Sequence, residues 1–380
     1  VGRDGRAKAS PGHSGAAISA RARRRATLAG VYMRGGSTRL AYAALLLAAS
    51  CAREPEAYER SWPIMGTTLR VRVWAPDSTS ALAALQVARD EIALVDNLMS
   101  TYQPTSELSV VRRRAGSDSI TYVSPATTTV LRAALDYAAR TDTALDVTVG
   151  PLIDVWGFHR HAGRLPTAFQ LDSARALTGL AGIDFDPAER TLRLRKRGMA
   201  LDFGAIAKGY ALDRAMRAMR AAGATAGTVD LGGNVIMFGP APEGAWQVGI
   251  VDPRQRDRLL ARLPIDSGAV STSGDYEQFF QADGVRYSHI FDPRTGLPVQ
   301  GVASVTVIAP TGMASDALST AFYVLGPRRG CGLAAREHVD AVWVTIAAAG
   351  SGPAFQLVVT PRLDTLLELT DSLPRVRCPS

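Results

Sequence analysis

The sequence predicts a mixed α/β (α+β) fold in a single domain, either undivided or in two lobes with a cleft between them. Three observations lead there. Segments that alternate at period two and segments with helical spacing succeed one another along the chain. The 380 residues are 47% hydrophobic and 21% charged, enough apolar material for one large core or two small ones. No internal repeat and no Pro- or Ser-rich linker divides residues 62–370, so that stretch is expected to be one unit.

Taken in chain order, Leu69-Arg70-Val71-Arg72-Val73-Trp74 alternates and reads as a strand. Leu82, Leu85, Val87, Ile92, Val95 and Leu98 fall on one broad stripe, which predicts a helix over 80–99. The same periodicities predict helices at 125–140 and 168–179, a strand near 191–196 and a helix at 205–222. Strands follow near 226–231, 245–251 and 302–309, then a helix at 313–325 and strands near 341–347 and 355–360. Residues 51–61 are polar and read as a tether, and 371–380 as a loose tail. Trp62, Trp74, Trp246 and Trp343 are expected in the core or on strand faces.

The formal charge of +8 invites a nucleic-acid partner until its position is noted. Residues 1–50 hold nine Lys and Arg against one Asp, while the remainder balances at 34 of each sign. A neutral body has no bulk attraction to a polyanion, so nucleic acid is excluded as a partner. Residues 1–50 read instead as an N-terminal extension and signal. Arg34 and Arg39 precede an apolar run from Leu40 to Ala49, which ends in Ala48-Ala49-Ser50-Cys51. The run is too short to span a bilayer as a helix. A Cys after small residues resembles the bacterial lipobox. The chain is therefore expected to start at Met33, to be exported, and to be anchored through lipidated Cys51 to a membrane facing the periplasm or cell exterior. Cys331 and Cys378 are expected to be unpaired thiols, with a disulfide between them as the alternative. No CxxC or Cys/His cluster points to structural zinc.

Four segments carry candidate chemistry. Leu201-Asp202-Phe203-Gly204-Ala205-Ile206-Ala207-Lys208-Gly209-Tyr210 joins a short strand to a helix. Its small residues leave N–H groups open to an anion with Lys208 one turn in, or it is a plain turn with a solvated lysine. Asp230-Leu231-Gly232-Gly233-Asn234 has paired glycines that allow a positive-φ turn or close backbone approach. A hydroxyl-rich run, Val270 to Tyr276, precedes Ser288-His289-Ile290-Phe291-Asp292-Pro293-Arg294-Thr295-Gly296, where His289 is either catalytic or structural. In Ala314-Ser315-Asp316-Ala317-Leu318-Ser319-Thr320-Ala321, Asp316 and Thr320 share a helix face and could hold a hard cation through oxygen, or could merely cap the helix. His159 and His161 form a His-x-His pair without a third ligand and read as a solvated loop.

Together these segments resemble the ApbE-type FAD:protein FMN transferases, with motifs in family order from Trp62-Pro63-Ile64-Met65-Gly66-Thr67-Thr68 to the last strands. Met99-Ser100-Thr101-Tyr102, Asp146-Val147-Thr148-Val149-Gly150-Pro151-Leu152 and Trp156-Gly157-Phe158 belong to the same resemblance. It implies FAD as substrate in a cleft lined by Met65, Tyr102, Ala144, Leu145, Asp146, Asp202, Lys208 and Ile290, with Leu145 where an aromatic is common. It also implies Mg²⁺ held by Asp316, the Thr320 hydroxyl and the Ala205 carbonyl, with Ser319 nearby. In the family reaction a protein threonine hydroxyl attacks the FMN-side phosphorus of FAD and AMP leaves. His289 is the candidate to take the hydroxyl proton and Asp275 the second. The implied partner is an acceptor bearing a Ser/Thr-Gly-Ala-Thr segment, such as a membrane redox subunit. This chain has Val270 after Ser267-Gly268-Ala269, so it reads as the modifier and not the modified protein. FAD pyrophosphatase and a non-catalytic FAD-binding lipoprotein are the competing readings.

Overall fold

The computed structural model describes residues 57–379 apart from 161, 243, 348–353 and 371. The signal run, the Met33 start and Cys51 lie outside the described residues. Among those described, no helix is long and apolar enough to cross a membrane.

A nine-stranded sheet organises the molecule. Its order is Tyr58–Ile64, Thr67–Trp74, Ala226–Leu231, Asn234–Phe238, Gly268–Gly274, Val302–Ala309, Asp340–Ile346, Phe355–Val359 and Arg375–Arg377. Every neighbouring pair is antiparallel except the last. Both faces are covered, so the central strands read as continuous apolar runs. In Asn234–Phe238, Ile236 and Phe238 face the helices, whereas Val235 and Met237 face a second core against the small sheet of Trp246–Val251, Leu259–Ile265 and Glu368–Leu369. Trp74, Trp246 and Trp343 are buried, as strand-face residues.

The helical face is built from Ser78–Met99, Ala207–Ala221 and Gly312–Glu337. Asp77 caps the first, accepting from the Ser80 N–H at 2.8 Å. The third is capped by Thr311, and Asp213 of the second helix accepts from the Gly312 and Met313 N–H groups at 2.7 and 3.0 Å. The helix predicted over 313–325 bends at Gly326 (φ 64°), before Pro327, then continues to Glu337. A satellite cluster of Leu152, Trp156, Phe158, Ala174 and Phe291, with Phe280 and Tyr287 against it, stands apart from both main cores.

The second and third helices cross at two glycines. A Cβ on Gly209 would lie 2.0 Å from the Gly312 carbonyl oxygen, and one on Gly312 would lie 2.4 Å from that of Gly209. Backbone cannot yield as a side chain can. Gly209→Ala is therefore expected to cost about 3 kcal/mol or more, read by chemical denaturation. An unchanged midpoint would show that the helices are free to separate.

The structure departs from the sequence reading at both ends. The tether residues from Tyr58 onward are already a strand, paired through Tyr58↔Val73 to Ile64↔Thr67. The tail is not loose: Arg375–Arg377 adds a parallel strand on Phe355–Val359, and Cys378 is disulfide-bonded to Cys331. Closing that 47-residue separation contributes about 4 kcal/mol on the chain-entropy account.

Candidate functional site

Two hairpin turns form one wall. Met65-Gly66 (φ 50° and 68°) and Gly232-Gly233 (φ 62° and 90°) are two-residue turns with both positions left-handed, the geometry that suits strand twist. The turns are side by side, because the Gly232 N–H reaches the Thr68 carbonyl at 3.2 Å. A Cβ on Gly232 would meet the Thr67 hydroxyl at 2.4 Å, so this position excludes any larger residue. Asp230 accepts from the Gly233 N–H at 3.0 Å. Burial pushes its pKa up to about 6, against the Gly233 N–H, Arg70 and Lys208.

The opposite wall joins the segments carrying Asp146 and Asp202, tied by the Asp202 N–H on the Val147 carbonyl at 2.8 Å. Asp146 Oδ1 accepts from both the N–H and the hydroxyl of Thr148, so this oxygen shapes its own turn. Asp202 accepts from the Gly204 N–H at 2.7 Å, which turns the chain into the helix at Ala207. Ala144, Leu145 and Ile290 are buried in the main core; their side chains belong to the core, and backbone is what Ala144 and Leu145 can offer a ligand. Leu145 is thus no stacking surface. Tyr102 is 59% exposed and offers a ring face.

Between the walls lies an oxygen-rich corner. Asp316 is buried; its Oδ2 accepts from the Gly209 N–H and its Oδ1 from Asn234 Nδ2, each at 2.8 Å. Gly209 is the third residue of the helix Ala207–Ala221, so its N–H has no carbonyl within the helix to donate to, and Asp316 takes it. The Ala205 carbonyl, which precedes the helix, accepts no hydrogen bond among the described residues. Ser273 reaches both Ser319 and Thr320, at 2.9 and 3.2 Å. A carboxylate, a free carbonyl and hydroxyls, with no nitrogen or sulfur ligand, fit a hard cation. Burial raises the Asp316 pKa while Lys208 opposes it, and a bound cation would favour the charged carboxylate.

The charge of Lys208 is felt by Asp230, Glu277, His289 and Asp316 alike. His289 Nδ1 lies 3.2 Å from the Gln278 carbonyl. A carbonyl only accepts, so Nδ1 carries the proton and Nε2 keeps its lone pair. Desolvation foremost, helped by Lys208, pushes the His289 pKa down to about 4, so the ring is neutral at pH 7. Asp275 is different: both of its oxygens bind the Arg254 guanidinium, at 2.6 and 2.7 Å. With both oxygens committed to the guanidinium, Asp275 stands in an ion pair, against the expectation of a second base.

The sequence reading passed over Asn234, Ser273 and, above all, His159. This histidine is not a solvated loop residue. Its side chain is 13% exposed, with Nδ1 at 2.7 Å from Asp154 and Nε2 at 3.5 Å from Asp202. The Tyr102 ring stands edge-on to it at 5.7 Å. His161 lies outside the described residues. Burial opposes charging of His159, but Asp154 and Asp202 overcome it and raise its pKa to about 9. A folded value above the ordinary 6.5 means that this stabilisation is complete below about pH 6.5 and is lost as pH rises through about 9. The wild-type melting temperature is expected to fall over that window by more than that of His159→Gln. Parallel curves would show that the imidazolium contributes nothing.

The chain is similar to known proteins of one family. The ApbE family model matches residues 65–343. The FAD:protein FMN transferase of Vibrio cholerae is 35% identical over 312 residues, covering 80% of this chain and 92% of the relative. That of Escherichia coli K12 is 31% identical, covering 80% and 87%. Among solved structures, the ApbE protein of Thermotoga maritima superposes with a TM-score of 0.74 at 31% identity, covering 82% of this chain and 99% of that one. The flavin transferase ApbE of Vibrio cholerae gives 0.72 at 31% identity, covering 82% and 99%. With the family model matching most of the chain and the likeness running through nearly the whole of these relatives, the chain belongs to the ApbE family.

Proposed function

We propose that this protein transfers the FMN part of FAD to a threonine hydroxyl of an acceptor protein in the presence of Mg²⁺, releasing AMP. The observation that carries the reading is buried Asp316 holding the first turn of the helix Ala207–Ala221 through the Gly209 N–H, next to an Ala205 carbonyl that accepts no hydrogen bond, Lys208 and a neutral histidine. Asp316, Thr320 and the Ala205 carbonyl would hold Mg²⁺, which when bound supplies charge neutralisation at the pyrophosphate. Lys208 adds a second positive charge there. Tyr102 and the Met65-Gly66 turn hold the flavin portion. The threonine oxygen forms a bond to the FMN-side phosphorus, the bond to the AMP phosphate oxygen breaks, and AMP departs with that electron pair. His289 Nε2 takes the hydroxyl proton as the new bond forms.

The flavin is cargo, so no electron changes hands. The acceptor bears a Ser/Thr-Gly-Ala-Thr segment and is a membrane redox subunit, and the enzyme reaches it from a lipid anchor at Cys51 on the outer side of a bacterial membrane. Names of the relatives and the donor chemistry of the corner support this reading.

The test is to incubate the protein with FAD, Mg²⁺ and an acceptor domain, then to record acceptor intact mass and AMP. A gain of one FMN residue with stoichiometric AMP is expected. AMP without that gain would indicate a pyrophosphatase, and FAD binding without AMP would indicate a binder only. Intact mass of the mature protein tests the anchor: a lipid-modified N-terminus at Cys51 is expected, and an unmodified one would overturn it.

A further inference from the structure

A cavity of about 280 Å³ opens behind the hairpin of Phe279–Ala282 and Val285–Ser288 that leads into His289. Its polar side carries Arg254, Arg286, Asp275 and Ser288, and its apolar side Val299, Val302 and Ile346. Arg254 is spent on Asp275, with two hydrogen bonds. Arg286 is not: its Nη1 is 3.7 Å from Asp275, beyond hydrogen-bond distance, and its guanidinium lies 3.9 Å over the Phe279 ring. Among the described residues that guanidinium donates no hydrogen bond. Two guanidinium groups against one carboxylate leave one positive charge. Ser288 is 1% exposed and its hydroxyl lies against the Tyr323 phenol, which donates to the Val302 carbonyl at 2.8 Å, so that hydroxyl is not reached from the cavity. A guanidinium that donates no hydrogen bond is the donor that a carboxylate accepts from. The volume is at the bottom of the range for small-molecule sites and far too small for a dinucleotide.

We propose that this cavity binds a carboxylate on a short apolar stem, with Arg286 on the oxygens and Val299 and Ile346 along the stem. The carboxylate is either a free small acid or a side chain of the acceptor protein. Only the second source rests on the proposed transfer reaction.

The probe is butyrate, titrated into the full chain by calorimetry, with the neutral isostere butyramide as control. Saturable butyrate binding at least tenfold tighter than that of butyramide is expected. Arg286→Met should weaken butyrate at least tenfold, and Ile346→Glu, which sets a tethered carboxylate at the wall, should do the same by a different route. Equal binding of butyrate and butyramide, no saturable butyrate binding up to tens of millimolar, or wild-type affinity in both variants would overturn the site. Where butyrate binds and raises the KM for acceptor but not for FAD, the carboxylate is the acceptor's own. Where it binds and leaves the acceptor KM alone, the site takes a free acid. Loss of flavin transfer with butyrate binding intact would count against the reaction and not against the cavity.

Discussion

Asp316→Asn should lose flavin transfer by about a thousandfold, the equivalent of roughly 4 kcal/mol of transition-state stabilisation, while keeping its fold. The amide oxygen can still accept from the Gly209 N–H, which preserves the junction between the helices Ala207–Ala221 and Gly312–Glu337, while the new NH2 takes the place facing Asn234, whose amide must turn its oxygen to accept it. What disappears is the negative charge that a divalent cation requires. Asp316→Ala removes more. Gly209 N and Asn234 Nδ2 each lose their acceptor at a buried site, which adds on the order of 1–3 kcal/mol of destabilisation per donor. Comparing the two variants separates structural from metal-binding loss. Mg²⁺ dependence of AMP release and thermal unfolding are the measurements. Wild-type turnover with unchanged Mg²⁺ dependence in Asp316→Asn would remove this residue from the cation corner.

His289→Ala should lower kcat by about 10²–10⁴, the usual contribution of a positioned base, with FAD affinity little changed. The pH profile gives the sharper test. A pKa pushed down to about 4 places the acid limb of kcat/KM near pH 4, not near 6.5, so the rate should be flat from about pH 5 to neutrality. The same shift has the opposite sign for stability from that of His159. With the folded value below the ordinary 6.5, the unfolded chain takes up the proton first as pH falls. His289 therefore subtracts stability progressively below about pH 6.5, levelling off below about 4. A kcat/KM limb centred near 6.5, or wild-type kcat in the alanine variant, would exclude His289 as the base.

Much of the fold was legible because it rests on local periodicity. The stripe from Leu82 to Leu98 gives the helix Ser78–Met99, and the alternation from Leu69 to Trp74 gives Thr67–Trp74. The helix end near Leu325 marked a real bend, since Gly326 followed by Pro327 interrupts the helical ladder. Hydroxyl-rich Gly268–Gly274 did not read as a strand. It is held as one by neighbours on both sides, and its Ser271 and Ser273 are satisfied by Ser315, Ser319 and Thr320 of the facing helix.

The candidate site divides along the same line. Sequence by itself determined the helix-face pair Asp316 and Thr320, the tight Gly232-Gly233 turn and the lysine at a helix start, because each depends on spacing within a few residues. Tertiary structure alone decided which partners these groups meet. Arg254 claims Asp275 across 21 residues, Asn234 and Gly209 reach Asp316 across 82 and 107, and Asp154 and Asp202 convert a loop histidine into a buried cation. Cys378 likewise finds Cys331 only once the last strand is laid on the sheet. Protonation state and hydrogen-bond commitment depend on burial and on charges brought in from distant parts of the chain, and neither exists until the chain has folded.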